Sequence, residues 1–275
     1  MTGMWPGDAR CAVMLSFDVD GRWLWLSLNR DSAKFPSLMS LGDYGVRVAM
    51  PRILKLLDEY KVKATFFVPG RLAEEEPDMV RHIARQGHEV GHHGYLHESV
   101  VSLERKAETD ILEKGIVIIK GLTGARPTGY RAPFWELTEN SLDLLLDTGF
   151  SYDSSLMGDD APYVLDRPGG RIVEVPPHWS LDDYPYLAYA PRAHVQQPIT
   201  SPRVVFDAWS AEFDGAYRYG RALLLTMHPQ IIGRPGRILM LEELLRHIRA
   251  HADAVFMTGA EMAQHLLKQP RSQGA

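Results

Sequence analysis

Short apolar runs of strand length recur along this chain, and stretches of helical period separate them. That alternation is the pattern of βα units, in which parallel strands are joined by covering helices. It limits the chain to an α/β fold built on a parallel sheet or barrel. Cys11 to Phe17 (CAVMLSF) reads as the first buried strand, and Val62 to Val68 (VKATFFV) as the second, closed by Pro69-Gly70. His88 to His92 is a short third strand and Thr128 to Arg131 another, with further strands at Ile172–Val175, Leu223–Met227 and Val255–Thr258. Helices are predicted over 43–60, with Val46, Ile53, Leu54 and Leu57 on one face and Pro51 as a kink or early break. Others are predicted at Glu75–Gln86 (stopped by Gly87), Leu103–Leu122, Thr138–Thr148 with Thr138 as N-cap, Ile238–Ala250 and Ala260–Leu267.

Residues 22–42, which hold Trp23, Trp25 and Pro36, form a long excursion. Segments 157–171 and 181–203 are rich in Pro, Tyr, Asp and Gly and read as loops, and the tail from Lys268 as disordered. With neither an internal repeat nor a linker, residues 1–275 are expected to form a single domain.

Polar motifs fall where strands end, which is where parallel α/β folds place their sites. Asp18 and Asp20 close the first strand, His93 and His97 follow the third, Arg131 ends another, and His228 follows Leu223–Met227. Phe17-Asp18-Val19-Asp20-Gly21 and His93-Gly94-Tyr95-Leu96-His97 together offer two carboxylates and two imidazoles. That is enough for a three-ligand metal and a spare general base; a catalytic zinc takes three such ligands and keeps a fourth position for water. Asp18 and Asp20, two apart in an extended strand, point the same way, and a cation or an arginine would relieve their repulsion. Asp20-Gly21 is also a turn dipeptide, and both roles are compatible. The two histidines converge through a helix or through a tight loop; Gly94 weakens the helix. Gly94 also stands where a metalloprotease HExxH motif carries its glutamate, so the base must come from elsewhere, with Asp18 and Asp20 as candidates. Trp23, Trp25, Phe134, Trp135 and Trp179 lie near these motifs in sequence, as an aromatic-walled pocket would require, although aromatic residues also build cores. His88 and His92 read as structural.

Composition removes other classes. The net charge of −5 comes without a long basic block, which argues against nucleic acid as a partner. Cys11 is the only cysteine, so no internal disulfide framework or cysteine-rich zinc site is available. No apolar run reaches the ~18 residues a membrane-spanning helix needs. The N-terminal residues lack a secretory pattern, and a cytoplasmic protein is expected.

These motifs resemble those of the polysaccharide deacetylase family, carbohydrate esterase family four, from about Ala12 to Gly259. The family's Thr-Phe-Asp-Asp-Gly appears as Ser16-Phe17-Asp18-Val19-Asp20-Gly21, with one residue inserted between the acids. His-Ser/Thr-x-x-His appears as His93 to His97 without the hydroxyl residue, Arg-x-Pro-aromatic as Arg131-Ala132-Pro133-Phe134, and the last motif as the strand ending in His228. The Asp-Val-Asp spacing, the run Gly87 to Gly94 and Trp179-Ser-Leu-Asp-Asp183 resemble the branch of cyclic imide hydrolases, allantoinase-like proteins and peptidoglycan deacetylase-like proteins.

The resemblance implies a distorted (β/α), TIM-like barrel of about seven strands and a homo-oligomer, often a tetramer in that branch. It also implies a divalent metal, zinc first and then Co, Ni or Mn, on Asp20, His93 and His97. Asp18 would be the general base, Arg131 its partner and His228 the general acid. Asp153 is a candidate for orienting His228, and His92 takes a place often held by Asn. Trp23, Phe134, Trp135 and Trp179 are candidate substrate contacts. The implied activity is metal-dependent hydrolysis of a non-peptide C–N bond, in a small cyclic imide or ureide. An N-deacetylase of N-acetyl sugars or peptidoglycan is the alternative, and a catalytically silent metal- or glycan-binding domain the second.

Overall fold

All eight residues of β1 (Cys11–Asp18) are buried, as a strand covered on both faces of a parallel sheet requires. Cys11, Val13, Leu15 and Phe17 join the largest core cluster, while Ala12 and Met14 face a second one. The computed structural model describes residues 4–269. In chain order, β1 is followed by α1 (Trp23–Leu28), α2 (Pro36–Tyr44), α3 (Met50–Glu59) and β2 (Thr65–Val68). Then come α4 (Gly70–Glu75), α5 (Pro77–Arg85), β3 (Glu89–His92), α6 (Arg105–Thr123), β4 (Gly129–Tyr130), α7 (Ser141–Asp147) and β5 (Tyr152–Asp153). The hairpin β6 (Tyr163–Arg167) and β7 (Gly170–Glu174) leads to α8 (Tyr184–Leu187), α9 (Pro202–Tyr219) and β8 (Ala222–Met227). The chain closes with α10 (Pro229–Ile232), α11 (Pro235–Arg249), β9 (Ala254–Phe256) and α12 (Gly259–Lys268).

The strands form one sheet in the order β6-β7-β5-β4-β3-β2-β1-β8, with β9 also on β1. Every pairing is parallel except that of β6 with β7. Met14, Phe67, Tyr152, Val173 and Leu224, from five strands, pack together inside the curled sheet. Its two ends meet through the Ala222 N–H on the Asp160 carbonyl (3.2 Å) and an isolated bridge between Asp182 and Thr226, so the ladder does not close. The sheet is therefore barrel-like and open at one seam, with nine strands among the described residues rather than about seven.

Several expectations change in detail. Segment 22–42 holds α1 and most of α2, and the stretch 157–171 contains β6. The predicted helix 75–86 is α5, which starts at Pro77 because Glu76 precedes it and leaves the helical region (φ −126°); the short helix α4 before it, Gly70–Glu75, was not predicted. Pro51 neither breaks nor ends its helix: it sits in the first turn of α3, preceded by a π-helical turn over Gly45–Ala49. Thr138 does not cap α7, which begins at Ser141 after Asn140; its hydroxyl donates instead to Glu108 (2.9 Å). The tail falls outside the described residues from 270 onward, while Lys268 itself ends α12. Among the described residues, no helix is long and apolar enough to cross a membrane.

Candidate active site and metal centre

The carboxyl ends of β1, β3, β4 and β8 bring Asp18, His93, Arg131 and His228 to one place. The Val19 N–H bonds the Phe67 carbonyl (2.9 Å), which keeps the chain extended past β1 and carries Asp20 to the same side as Asp18. Gly21 then turns the backbone at φ +57°, beyond the ordinary reach of a side-chain-bearing residue. The segment from His93 to His97 is a loop, not a helix. Gly94 (φ +70°) and His97 (φ +57°) bend it, and the Glu98 carboxylate accepts the N–H groups of Tyr95 (3.0 Å) and Leu96 (2.6 Å).

Asp20 Oδ1 lies 3.5 Å from His93 Nε2 and 3.6 Å from His97 Nε2. Both Asp20 oxygens are buried without a hydrogen-bond partner among the described residues. Ligand atoms ~2.1 Å from a tetrahedral ion stand about 3.4 Å apart, so these contacts have the spacing of co-ligands. The far side of each ring is fixed as a ligand needs. His93 Nδ1 donates to the Arg131 carbonyl (2.7 Å). Ser27 Oγ donates to the Leu24 carbonyl (3.0 Å), so at 3.1 Å it accepts from His97 Nδ1. Both Nε2 lone pairs are thereby left for a cation. Burial, with His93 and His228 beside it, holds the His97 pKa well below its ordinary value, which keeps the ring neutral. The set Asp20, His93 and His97 thus fits a divalent ion.

Asp18 is held differently. Arg131 Nη1 donates to Asp18 Oδ1 (2.8 Å) and Ser16 Oγ (2.9 Å), and Nη2 donates to Ser154 Oγ (2.8 Å). Burial would raise the Asp18 pKa, but Arg131, His93 and His228 outweigh it and hold the group ionised. Burial pushes Asp20 up to about 6 against the pull of His228 and His93.

His228 Nδ1 donates to Asp183 Oδ1 (2.7 Å), and Asp182 Oδ1 lies 3.5 Å away. Its Nε2 is 3.7 Å from Asp20 Oδ2. Burial works against the charged ring, yet Asp182, Asp183 and Asp20 raise its pKa well above the ordinary value, which makes it a proton donor.

The partner of His228 is therefore Asp183, and the expectation for Asp153 is corrected. Asp153 is buried beside Glu174 across the β5–β7 ladder and accepts from Ser155 Oγ (2.9 Å). The acid that orients His228 comes from the segment bridging the seam, placed by the Asp183 N–H on the Thr226 carbonyl (3.2 Å). The two adjacent acids ending Trp179-Ser-Leu-Asp-Asp183 were the sequence signal for it.

Asp18, His93, His97 and His228 lie at the base of a cavity of about 340 Å³. Phe134, Trp135, Trp179 and Tyr184 line it, along with Leu24 and Leu28. Trp135 and Trp179 stack with centroids 4.2 Å apart, and Phe134 sets its edge against His97 at 4.9 Å. Phe134 (φ 63°) and Trp135 (φ 58°) both occupy the left-handed region, a strain that recurs at binding sites. Trp23 is not part of this wall: its indole N–H donates to Glu75 (3.0 Å) and anchors α1 on α4. His92 is structural as expected, packed against Gly115 of α6.

A family model for polysaccharide deacetylase matches residues 32–152. The peptidoglycan deacetylase of Helicobacter pylori is 34% identical, over 93% of this chain and 97% of its own length. The solved structure of a Mycobacterium smegmatis protein assigned as a polysaccharide deacetylase is 39% identical, covers 98% of this chain and 96% of its own, and gives a TM-score of 0.93. Puue allantoinase is 25% identical over 98% of this chain and 94% of its own, with a TM-score of 0.85. Near-complete alignment at these identities, with the motif residues gathered at one strand-end cavity, means that the chain belongs to the polysaccharide deacetylase family.

Proposed function

We propose that this protein is a metal-dependent hydrolase of amide or imide C–N bonds that acts on a small cyclic imide or ureide. The observation that carries this reading is the cavity itself, about 340 Å³ with aromatic walls and the charged groups at its base. A volume of this size with aromatic walls accommodates a compact ring. The likeness to an allantoinase over nearly the whole chain supports the same class. The second reading, removal of N-acetyl groups from a sugar or peptidoglycan, is favoured by the Helicobacter pylori relative's name.

Asp20, His93 and His97 would hold a divalent ion, zinc or else Co, Ni or Mn. That ion supplies Lewis acidity and brings the pKa of a water toward neutrality. Asp18 accepts the proton of the attacking water, and Arg131 keeps its carboxylate ionised and aimed. His228 gives its Nε2 proton to the leaving nitrogen as the C–N bond breaks, while Asp183 holds the Nδ1 proton and stabilises the charged ring. Phe134, Trp135 and Trp179 surround the substrate and limit the entry of bulk water.

The test is metal analysis followed by hydrolysis of succinimide, hydantoin-type rings, allantoin and N-acetylglucosamine oligomers. Ring opening well above deacetylation is expected, and Asp18→Asn should keep the metal while losing most turnover. Faster release of acetate than ring opening would transfer the assignment to the second reading. Metal uptake with no turnover on any substrate would leave only a silent metal-binding domain.

A further inference from the structure

A second hollow, of about 300 Å³, adjoins the catalytic cavity through α8: Tyr184 lines the catalytic one and Leu187 the other. Its polar lining is Trp25, Tyr189, Gln230, Arg234 and Arg237. Trp25 is 1% exposed and Gln230 2%. Nevertheless the indole N–H and both polar atoms of the amide have no hydrogen-bond partner among the described residues. Arg237 gives one N–H to the Ile231 carbonyl (2.9 Å), and Arg234 lies over the Tyr44 ring (3.7 Å). Neither guanidinium forms a salt bridge among the described residues. Partial burial lowers the Arg237 pKa, against the pull of Asp183.

Water would satisfy a lone N–H donor. Two guanidinium groups side by side on one wall, with only Asp183 acting on Arg237 and no carboxylate bonded to either among the described residues, favour an anion over water alone. A guanidinium presents paired donors that match the two oxygens of a carboxylate. The rest of the wall, with Leu41, Leu187 and Ile199, is apolar and suits an organic body better than a bare inorganic ion.

We infer that this hollow binds a small organic carboxylate, held by Arg234 and Arg237 against the Trp25 indole and the Gln230 amide. Gln230 follows His228 by two residues, and Leu187 follows Asp183 by four. An occupant therefore braces both segments that hold the His228–Asp183 pair. Hydrolysis of an amide or imide releases a carboxylate, so the reaction's product belongs to the class this hollow accepts. That last link rests on the hydrolase reading; the binding site does not.

Isothermal titration calorimetry with benzoate, acetate and inorganic phosphate tests the site without measuring turnover, so its failure is separable from failure of the hydrolase reading. Benzoate should bind the metal-loaded protein and still bind after treatment with a chelator. The Arg234→Gln/Arg237→Gln variant should bind it about tenfold more weakly or worse, as loss of charge-assisted hydrogen bonds implies. Trp25→Phe, which keeps one aromatic ring and removes the indole N–H, should weaken benzoate binding several-fold in a protein that still folds, its melting temperature lowered by the smaller side chain at a buried position. If the double variant does not fold, Arg234→Gln alone serves. Equal affinity in the arginine variants overturns the inference, as does loss of benzoate binding on chelation or tighter binding of phosphate than of benzoate. An arginine variant that changes oligomeric state in sedimentation while its benzoate affinity stays the same would make the hollow a contact between copies and also overturn it.

Discussion

Replacing Asp20 with asparagine is expected to stabilise the metal-free protein and to remove most of the stabilisation that zinc confers. Both Asp20 oxygens are buried and unpartnered, and an unmet buried polar group costs about 1–3 kcal/mol, more when charged. The amide of Asp20→Asn carries no charge and can turn an N–H toward the Nε2 of His93 or His97, now 3.5 and 3.6 Å from Oδ1. A gain of roughly 1–3 kcal/mol follows, and each kcal/mol raises the melting temperature by about 2–4 °C in a chain of this size. With zinc at a hundred times its dissociation constant, the wild-type protein gains about 2.7 kcal/mol. The variant has lost the one anionic ligand of the set and should gain far less, so the order of the two melting curves reverses. Circular dichroism melts with a chelator and with excess zinc measure this directly. An Asp20→Asn protein that gains as much from zinc as the wild type would refute the ligand assignment. One that melts below wild type in chelator would refute the argument from unpartnered oxygens.

Asp183→Asn should lower kcat by about 10²–10⁴ on whichever substrate turns over, with metal content unchanged, because His228 loses the carboxylate that stabilises its protonated ring. Unchanged kcat would remove His228 from the acid role. Gly115→Ala should destabilise the fold in urea titrations. Its Cβ would stand 2.1 Å from His92 Nε2, and overpacking costs about 1–3 kcal/mol, which outweighs the helix-propensity gain of about 1 kcal/mol. Glu174→Gln tests the buried acid pair. Burial raises Asp153 to about 6, and burial together with Asp153 raises Glu174 well above its ordinary value. The folded state therefore binds more protons than the unfolded one above about pH 4, and this pair's contribution to stability falls as pH rises toward 6. The substituted side-chain amide would donate an N–H at every pH, so the variant's stability should vary less with pH over that window; an identical pH profile would show that the pair does not share a proton.

The strands that build the site were legible because parallel strands buried on both faces read as continuous apolar runs, as in Cys11–Phe17 and Leu223–Met227. Asp18 and His228 were legible for the same reason, since each breaks an apolar run at its carboxyl end, whereas His93 with His97 and Arg131 follow short, mixed strands and were legible from their motifs. The seam was not legible. Asp183 reaches His228 because residues 182 and 183 pair with Thr226 across the open edge of the sheet, a contact between segments more than forty residues apart. Asp153 also sits at a strand end, but it lies beside Glu174 of β7 rather than at the histidine. Nor did nearness in sequence sort the tryptophans, since Trp23 turns to Glu75 and Trp25 lines the neighbouring hollow, while Trp135 and Trp179 stack over the cavity.

The order of residues alone determined which side chains stand as candidates at the strand ends, because strand periodicity and burial are local properties of a few neighbouring residues. The closure of the seam, the acid that serves His228 and the division between two adjoining cavities were decided only by the tertiary structure. Those features depend on how far the sheet curls before its ends meet, and that curl is set by the packing of all its strands together.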